Sequence, residues 1–160
     1  MKIKQKTPSS RSLAVRNVMR ANRGVDTAPE LAIRRLLHQS GYRYTVNKRP
    51  EKDINRRADI IFRSAKVAVF VHGCFWHGCP KHYVLPKSNK KYWSAKVKRN
   101  KERDSETRSL LQTRGWRVIV VWEHEDEKKS ANLIAQQLLK AKLKQKKLKR
   151  YGPMKRPKTL

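Results

Sequence analysis

Cysteine and histidine are concentrated in one short segment of the chain, HGCFWHGCPKH at residues 72–82. Within it, Cys74, Cys79 and His82 are spaced so that two thiolates and an imidazole can converge on one metal ion. A closed tetrahedral site needs a fourth ligand, for which His124 is the best candidate. The pattern predicts a structural zinc site. The alternative is a pair of unrelated buried cysteines with scattered surface histidines.

An isolated carboxylate, Asp59, interrupts the apolar stretch ADIIF at residues 58–62. A buried acid needs a partner, which can be a divalent cation or one of the many arginines. The next apolar stretch ends in Val71 and His72, which would place a backbone carbonyl and an imidazole beside Asp59. A magnesium ion held there would activate a water molecule and offset charge on a phosphate.

Two further side chains allow more than one role. His77 can act as a general acid or base near neutral pH, or it can compete with His82 for the zinc site. Glu30 closes a capping box that begins at Thr27, which is a sufficient structural explanation for it. Helix N-termini often face active sites, so Glu30 is also a candidate site residue.

Large aromatic side chains accompany these polar residues. Phe75 and Trp76 lie in the same loop between two glycines, and Tyr92 and Trp93 begin a strongly basic stretch. Aromatic rings in a basic context can stack on nucleic-acid bases or wedge between them. The alternative is that they cover the local core, and this alternative is stronger for Tyr92 than for Trp76.

The charge balance indicates the class of partner. The 160 residues include 41 Lys and Arg against 12 Asp and Glu, a formal net charge of +29. Ten of the cations lie in residues 140–160, so the remaining body still carries +19. Nucleic acid is the expected partner, because neutralised phosphates release their counterions. Ribosome association or an acidic membrane surface are the alternatives.

Other classes of protein are disfavoured by what the sequence lacks. The longest apolar run is broken at His72 and Gly73, short of the ~18 residues that a membrane span needs. The first twelve residues are charged and have no apolar core of a secretory signal. With two cysteines only, we expect reduced thiols in a cytoplasmic, nucleoid-associated protein without membrane contact.

Helix and strand signals predict one α/β domain with a mixed sheet, in the order α-β-β-β-α-β-α. The predicted elements are a short basic helix at 11–24, a helix from Thr27 to Gly41, strands at 42–46, 58–62, 66–72 and 116–122, and helices at 89–113 and 130–148. The last strand is expected beside 66–72, which would bring His124 to the cysteine loop. The apolar side of the last helix is predicted to comprise Leu133, Leu138, Leu139 and Leu143.

The domain division predicted from composition has three parts. Residues 1–10 are expected to be a disordered basic N-terminus, 11–140 the folded domain and 141–160 a basic tail, disordered from residue 146.

The chain resembles the very short patch repair (Vsr) DNA mismatch endonucleases, relatives of type II restriction enzymes. The matching blocks occur in the family's order over roughly residues 16–127, and they are VMRANRGVDTAPELAIRRLL, RADIIF, VFVHGCFWHGCPKH, KYWSAKVKRNKERD and GWRVIVVWEHE. The resemblance implies a restriction-endonuclease-like single domain, with a central mixed sheet flanked by helices and a structural zinc site.

The resemblance also implies catalytic roles. Asp59 would be the magnesium-binding aspartate, with the Val71 carbonyl as a second ligand. His77 would be the general acid or base, and Glu30 and His72 would hold metal-bound waters or the phosphate. Other family members have Thr at position 71, a change that a carbonyl ligand tolerates.

Zinc and DNA contacts are implied in the same way. The implied zinc ligands are Cys74, Cys79, His82 and His124, where some members have Cys at position 124. The implied DNA-contacting residues are Met19, Phe75, Trp76, Trp93, Lys96 and Asn100, of which the aromatic side chains would enter the duplex.

Members of this family nick one strand 5′ to the thymine of a T:G mismatch, which arises when 5-methylcytosine deaminates. We therefore expect a monomer that acts on mismatched double-stranded DNA, with mismatch-repair proteins and a DNA polymerase as possible partners. The rival hypotheses are a non-catalytic, zinc-containing nucleic-acid-binding protein and a restriction-like endonuclease of other specificity.

Overall fold

A computed structural model describes residues 24–151, with side chains except those of 147–149 and 151. The order of elements confirms the predicted α-β-β-β-α-β-α succession. The elements are α1 Ala28–Gln39, β1 Thr45–Lys48, β2 Ala58–Phe62, a 3-10 turn at Arg63–Ala65, β3 Val67–His72, α2 Lys90–Thr113, β4 Arg117–Trp122 and α3 Glu127–Tyr151. The predicted disorder at 1–10, the predicted helix at 11–24 up to residue 23, and Met19 lie outside the described residues.

The four strands form one mixed sheet in the order β1-β2-β3-β4. β2 is antiparallel to both β1 and β3, whereas β3 and β4 are parallel. The parallel register places His72 opposite Trp122, so both strands end at the same edge. The prediction that the last strand runs beside 66–72 is confirmed, and the loops that leave β3 and β4 therefore start as neighbours.

β2 and β3 are almost continuously apolar because helices cover both faces of the sheet. On one face, Ile60 and Val69 pack with Ile33 of α1 and Ile134 of α3. On the other face, the alternate side chains pack with α2 and the adjacent loops. The residues of this second cluster are Ile54, Ala58, Ile61, Ala68, Leu111 and Trp116. The face under α2 is also the one to which Asp59 belongs.

Three local expectations are corrected at the N-terminal side of the sheet. β1 begins at Thr45 instead of residue 42 and continues to Lys48, two residues beyond the predicted end at 46. Tyr42 and Tyr44 precede it, and both rings pack edge-on against Phe62. The α1 cap also differs, because the Thr27 hydroxyl donates to Glu30 instead of accepting a backbone N–H.

The prediction of which residues form the apolar side of the last helix is wrong. Leu133, Leu139 and Leu143 are 40, 56 and 60% exposed, and only Leu138 of the predicted set is buried. The residues that face the core are Ala131, Ile134, Leu138 and Ala141. Their spacing follows the helical period, but two of the four are alanines that a search for large apolar residues overlooks.

α3 also begins earlier and ends later than predicted. It continues through Tyr151, so the disorder expected from residue 146 is wrong up to that point. The stretch is rich in lysine and glutamine, which are good helix formers, and no Gly or Pro interrupts it before Gly152. Within residues 24–151, no helix combines the length and the apolar character that crossing a membrane requires.

Candidate active site and metal centre

Cys74, Cys79, His82 and His124 meet beside the ends of β3 and β4, with one donor atom of each within 4.8 Å of the others. The Cys74 Sγ lies 3.9 Å from His82 Nδ1 and 3.1 Å from His124 Nδ1. The Cys79 Sγ lies 4.0 and 3.8 Å from the same two nitrogens. Because β3 and β4 are parallel, His124 lies beside the loop that carries the two cysteines, as predicted from the sequence.

These four donors fit a tetrahedral metal ion. Zinc–sulfur and zinc–nitrogen bonds of ~2.3 and ~2.0 Å place sulfur and nitrogen ligands about 3.6 Å apart, within the observed spread. Burial and the adjacent Cys79 raise the pKa of Cys74 to about 11. Burial opposes ionisation of Cys79 as well, but backbone N–H groups of Lys81 and His82 lower its pKa. A cation would compensate both thiolates, so the group could hold a metal.

His77 belongs to a different cluster, although it lies in the same loop. Its Nδ1 is 2.6 Å from the Asp104 Oδ2, on α2. Burial alone would raise the pKa of Asp104, but the hydrogen bond and the charge of His77 lower it. With Nδ1 committed to the carboxylate, Nε2 is the nitrogen that His77 presents to a substrate.

His72 lies directly against His77. The two rings are stacked with centroids 3.9 Å apart and planes inclined by 12°. Parallel rings at this separation do not point their lone pairs at a common ion, since a ligated metal lies in the plane of each imidazole. Burial, with the neighbouring His77, lowers the pKa of His72 to about 4, so this ring is neutral near pH 7.

Asp59 binds the backbone of β3 where the β2–β3 ladder ends. Its Oδ2 accepts the Val71 N–H at 2.7 Å. Burial raises the pKa of Asp59 to about 6, against the opposing effect of this bond, and Glu30 adds to the rise. A carboxylate held in so unfavourable an environment is stabilised by a cation.

The Val71 carbonyl faces the same side as Asp59. In a strand, the N–H and C=O of one residue point to the same neighbour, and those of the next residue point the other way. The His72 carbonyl accepts the Glu123 N–H from the β4 side at 3.0 Å, so the Val71 carbonyl is directed toward β2. A carboxylate and a carbonyl on one edge suit magnesium, which keeps several waters among its ligands.

Glu30 is buried to 4% exposure at the start of α1. It accepts the Asp26 N–H and the Thr27 hydroxyl, each at 3.0 Å, and pairs with Arg34 at 3.2 Å. These contacts fix its carboxylate on the wall of a cavity beside the sheet.

A cavity of about 570 Å³ lies between α2 and the ends of β2 and β3, and Asp59, Glu30, His72, His77 and Asp104 all line it. Four arginines also line it, which suits a phosphate-bearing substrate, and they are Arg56, Arg57, Arg103 and Arg108.

Sequence reasoning missed Asp104 and the arginines of α2. A signal for Asp104 was present, because Asn100, Asp104 and Arg108 recur every four residues and so share one helix face. That face lines the cavity at Asp104 and Arg108. The uniform basicity of the surrounding helix hid this spacing.

The aromatic residues form a compact cluster at the rim of the cavity. The Phe75 ring centroid lies 5.2 Å from that of Trp76 and 5.3 Å from that of Trp93. Phe75 and Trp76 are half-buried, whereas Trp93 is only 8% exposed. Trp93 lies beneath the other two rings, and the expectation that all three rings enter the duplex stays a prediction.

Two predicted DNA-contacting residues on α2 differ in exposure. Lys96 is half-buried. Asn100 is 7% exposed, and its side chain donates to the Trp76 carbonyl at 2.8 Å and accepts from Arg103 at 3.0 Å. The Nδ2 of Asn100 thus holds the aromatic loop to α2, and a direct DNA contact of Asn100 stays a prediction.

Comparison with known proteins finds endonucleases of similar sequence. Residues 5–83 match the family model described as DNA mismatch endonuclease Vsr. The type II nicking enzyme V.NaeI of Lentzea aerocolonigenes is 47% identical over 110 residues, which are 68% of this chain and 66% of that enzyme. The type II nicking enzyme V.XorIIP of Xanthomonas oryzae pv. oryzae is 45% identical over 112 residues, 69% of this chain and 79% of the relative.

A relative named for mismatch cleavage is also similar. The DNA mismatch endonuclease Vsr of Escherichia coli is 35% identical over 106 residues, which cover 66% of each chain. The chain thus spans slightly less than two thirds of both this relative and V.NaeI.

Proposed function

The chain belongs to the DNA mismatch endonuclease Vsr family, and from that premise we propose that it nicks one strand of duplex DNA 5′ to the thymine of a T:G mismatch. The observation that carries the proposal is the cavity in which Asp59 and the His77–Asp104 pair lie together beside Trp76. A carboxylate that suits a metal, a positioned imidazole and a half-buried aromatic wedge are the parts that this reaction needs. The names of the nicking relatives support single-strand cleavage.

Asp59 and the Val71 carbonyl would hold magnesium in this proposal. When bound, the ion offsets charge on the scissile phosphate and makes a bound water more acidic. The arginines of the cavity wall orient the phosphate, because guanidinium groups pair with phosphate oxygens in fixed geometry. Glu30, held by Asp26, Thr27 and Arg34, presents a carboxylate to bound waters.

His77 acts as the general base. With Nδ1–H donated to Asp104, the Nε2 lone pair accepts a proton from the water that attacks phosphorus. One phosphorus–oxygen ester bond then breaks, and the leaving oxygen takes a proton from solvent. The Asp104 carboxylate then stabilises the imidazolium that forms, as a carboxylate does for other catalytic histidines. His72 stays neutral, so it can hydrogen-bond a phosphate oxygen or a water without competing for the proton.

Cys74, Cys79, His82 and His124 would hold zinc in a structural role. Four protein donors would complete a tetrahedron, so a zinc ion held there would have no open position for chemistry. Its task is to fix the loop that carries His77, Phe75 and Trp76 to the end of the sheet.

Selectivity comes from the aromatic cluster. Inserting Phe75 and Trp76 into a duplex costs unstacking energy, and the cost is smaller at a weakly paired mismatch than in intact DNA. Repair of deaminated 5-methylcytosine is the proposed task, followed by resynthesis by a DNA polymerase and with mismatch-repair proteins as further partners. The protein is proposed to act as a monomer in the cytoplasm, on the nucleoid.

The test is a nicking assay in magnesium on end-labelled duplexes that differ only in one T:G or C:G pair. We expect cleavage of the thymine strand of the T:G duplex, and none of the C:G duplex. Binding of both duplexes without cleavage would instead identify a nucleic-acid-binding protein. Cleavage of both strands of the C:G duplex would identify a restriction-like enzyme.

A further inference from the structure

Glu123 is a carboxylate of the cavity wall that takes no part in the chemistry described above. It is the first residue after β4, whose last residue, Trp122, lies opposite His72 of β3. The Glu123 N–H donates to the His72 carbonyl at 3.0 Å. The backbone of Glu123 therefore extends the parallel ladder by one bond beyond the strands.

The side chain of Glu123 binds the same loop a second time. Its Oε1 accepts the Cys74 N–H at 2.6 Å. Gly73 lies between these two contacts, and a Cβ there would be 3.5 Å from the Glu123 Oε2 and 3.3 Å from the Trp76 Cδ1. Glu123 thus holds the chain on both sides of Gly73, and its carboxylate lies within van der Waals reach of that residue.

The turn at Gly73 that Glu123 contacts also leads to His77, the proposed general base. The Gly73 carbonyl accepts the His77 N–H at 3.1 Å. The Gly73 peptide is therefore the link between the Glu123 contacts and the backbone of His77. A shift of this peptide would move the His77 imidazole relative to Asp59, on the other side of the cavity.

A carboxylate at the cavity wall weakens the attraction of this surface for phosphates. The chain carries a formal charge of +29, and a negative side chain at the cavity repels the phosphates that the other charges attract. A charged acceptor does, however, bind a backbone N–H more strongly and at shorter range than a neutral one. The short bond to Cys74 is a contact of this kind.

We propose that Glu123 is a positioning residue for nicking, which orients His77 by binding the Cys74 N–H and holding the Gly73 turn. The proposal rests on the proposed function for its kinetic consequence, but the contact itself does not depend on that function. A different role, as a third ligand of the magnesium ion, requires the negative charge and not the hydrogen bond. The two roles are separable by substitution.

The experiment compares Glu123→Ala, Glu123→Gln and the control Glu125→Ala in single-turnover nicking of a T:G duplex. Glu125 is an exposed carboxylate of the same turn that accepts the Trp122 N–H at 3.2 Å. We expect Glu123→Ala to nick about 10- to 100-fold more slowly, as for loss of a hydrogen bond to a charged group. Glu123→Gln keeps an acceptor oxygen and should stay within about fivefold of wild type, and Glu125→Ala should be unchanged.

Duplex affinity, zinc content and melting temperature are measured on the same variants, and all three should change little. A wild-type rate for Glu123→Ala would overturn the proposal. Glu123→Gln as slow as Glu123→Ala would show that the charge matters and not the acceptor. Loss of zinc in step with the rate would show a purely structural effect.

A second measurement does not depend on nicking. In NMR spectra, Glu123→Ala should shift the Cys74 amide and His77 imidazole resonances, whereas Glu123→Gln should largely restore them. If wild type fails to nick, the proposed function fails, and these resonances alone decide the positioning role. His77 resonances that do not move in Glu123→Ala would refute that role.

Discussion

The loop at 72–82 contributes to two clusters of similar composition that differ in geometry. In one, two thiols and two imidazoles point at a common centre, with sulfur–nitrogen distances of 3.1–4.0 Å. In the other, His72 and His77 are stacked face to face, and the Asp104 carboxylate binds Nδ1 of His77. Converging donors suit a bound ion, whereas stacked rings with one anchored nitrogen suit proton transfer.

The two geometries differ because successive cysteine and histidine side chains of the loop point to opposite sides. Cys74 and Cys79 turn toward the end of β4, where His124 lies, while His72 and His77 turn toward α2 and Asp104. The parallel pairing of β3 with β4 supplies the first partner, and the packing of α2 across the sheet supplies the second. The cysteine side of the loop can therefore hold it in place, while the histidine side is available for chemistry.

The largest expected effect is at Asp59. Replacing it by Asn keeps an acceptor for the Val71 N–H but removes the charge that would hold magnesium. We expect nicking of a T:G duplex to fall by about 10³-fold or more, with duplex affinity nearly unchanged. Single-turnover rates with binding titrations check this, and near-normal nicking would exclude Asp59 as the metal ligand.

A smaller effect is expected at Asp104, which acts on His77 and not on the substrate. Asp104→Asn should slow nicking by at least about 10- to 100-fold, the range known for carboxylates that orient metal-ligating histidines. Zinc content should not change, because Asp104 makes no contact with the thiol cluster. A fall in bound zinc in this variant would contradict the separation of the two clusters.

Both clusters could be predicted only in part from sequence. The four cysteine and histidine donors and Asp59 stand out because cysteine and isolated acids are rare in such stretches, and the strands are apolar enough to be located. Asp104 was missed because its partner lies 27 residues away and only the packing of α2 joins them. The burial of Trp93 and Asn100 could not be predicted, because exposure depends on how the loop lies over α2, which local patterns do not encode.

The contact between the loop and α2 can be disturbed at Gly78. It has a φ of +60°, and a Cβ there would lie 2.5 and 2.6 Å from side-chain atoms of Lys101 and Val97. Gly41, with a φ of +81° and no atom within 4 Å, is the matched control. We expect Gly78→Ala to lower the free energy of unfolding by about 2 kcal/mol more than Gly41→Ala does.

Equal unfolding midpoints for the two glycine variants in urea would show that the loop moves away from α2 without a loss in the free energy of unfolding. The two clusters would then be less rigidly joined than their packing indicates.

The smallest effect is expected far from both clusters, on the solvent-facing end of α3. Replacing Lys142, Lys144 and Lys146 by Gln should weaken non-specific DNA binding and flatten its salt dependence, by about 0.9 in slope for each phosphate that is no longer neutralised. The nick position should stay the same, because these side chains lie on the helix beyond its buried segment. Sequencing-gel mapping checks this, and a shifted nick would place α3 at the reaction centre.

The most direct measurement compares two histidines of one loop, five residues apart. His77→Ala and His82→Ala are assayed side by side for bound zinc and for single-turnover nicking of a T:G duplex. We expect His77→Ala to keep its zinc and to nick at least about 100-fold more slowly, because it loses the general base alone. His82→Ala should lose zinc and melt at a lower temperature. Loss of zinc in His77→Ala, with zinc retained in His82→Ala, would contradict the division of the loop into a metal-binding side and a catalytic side.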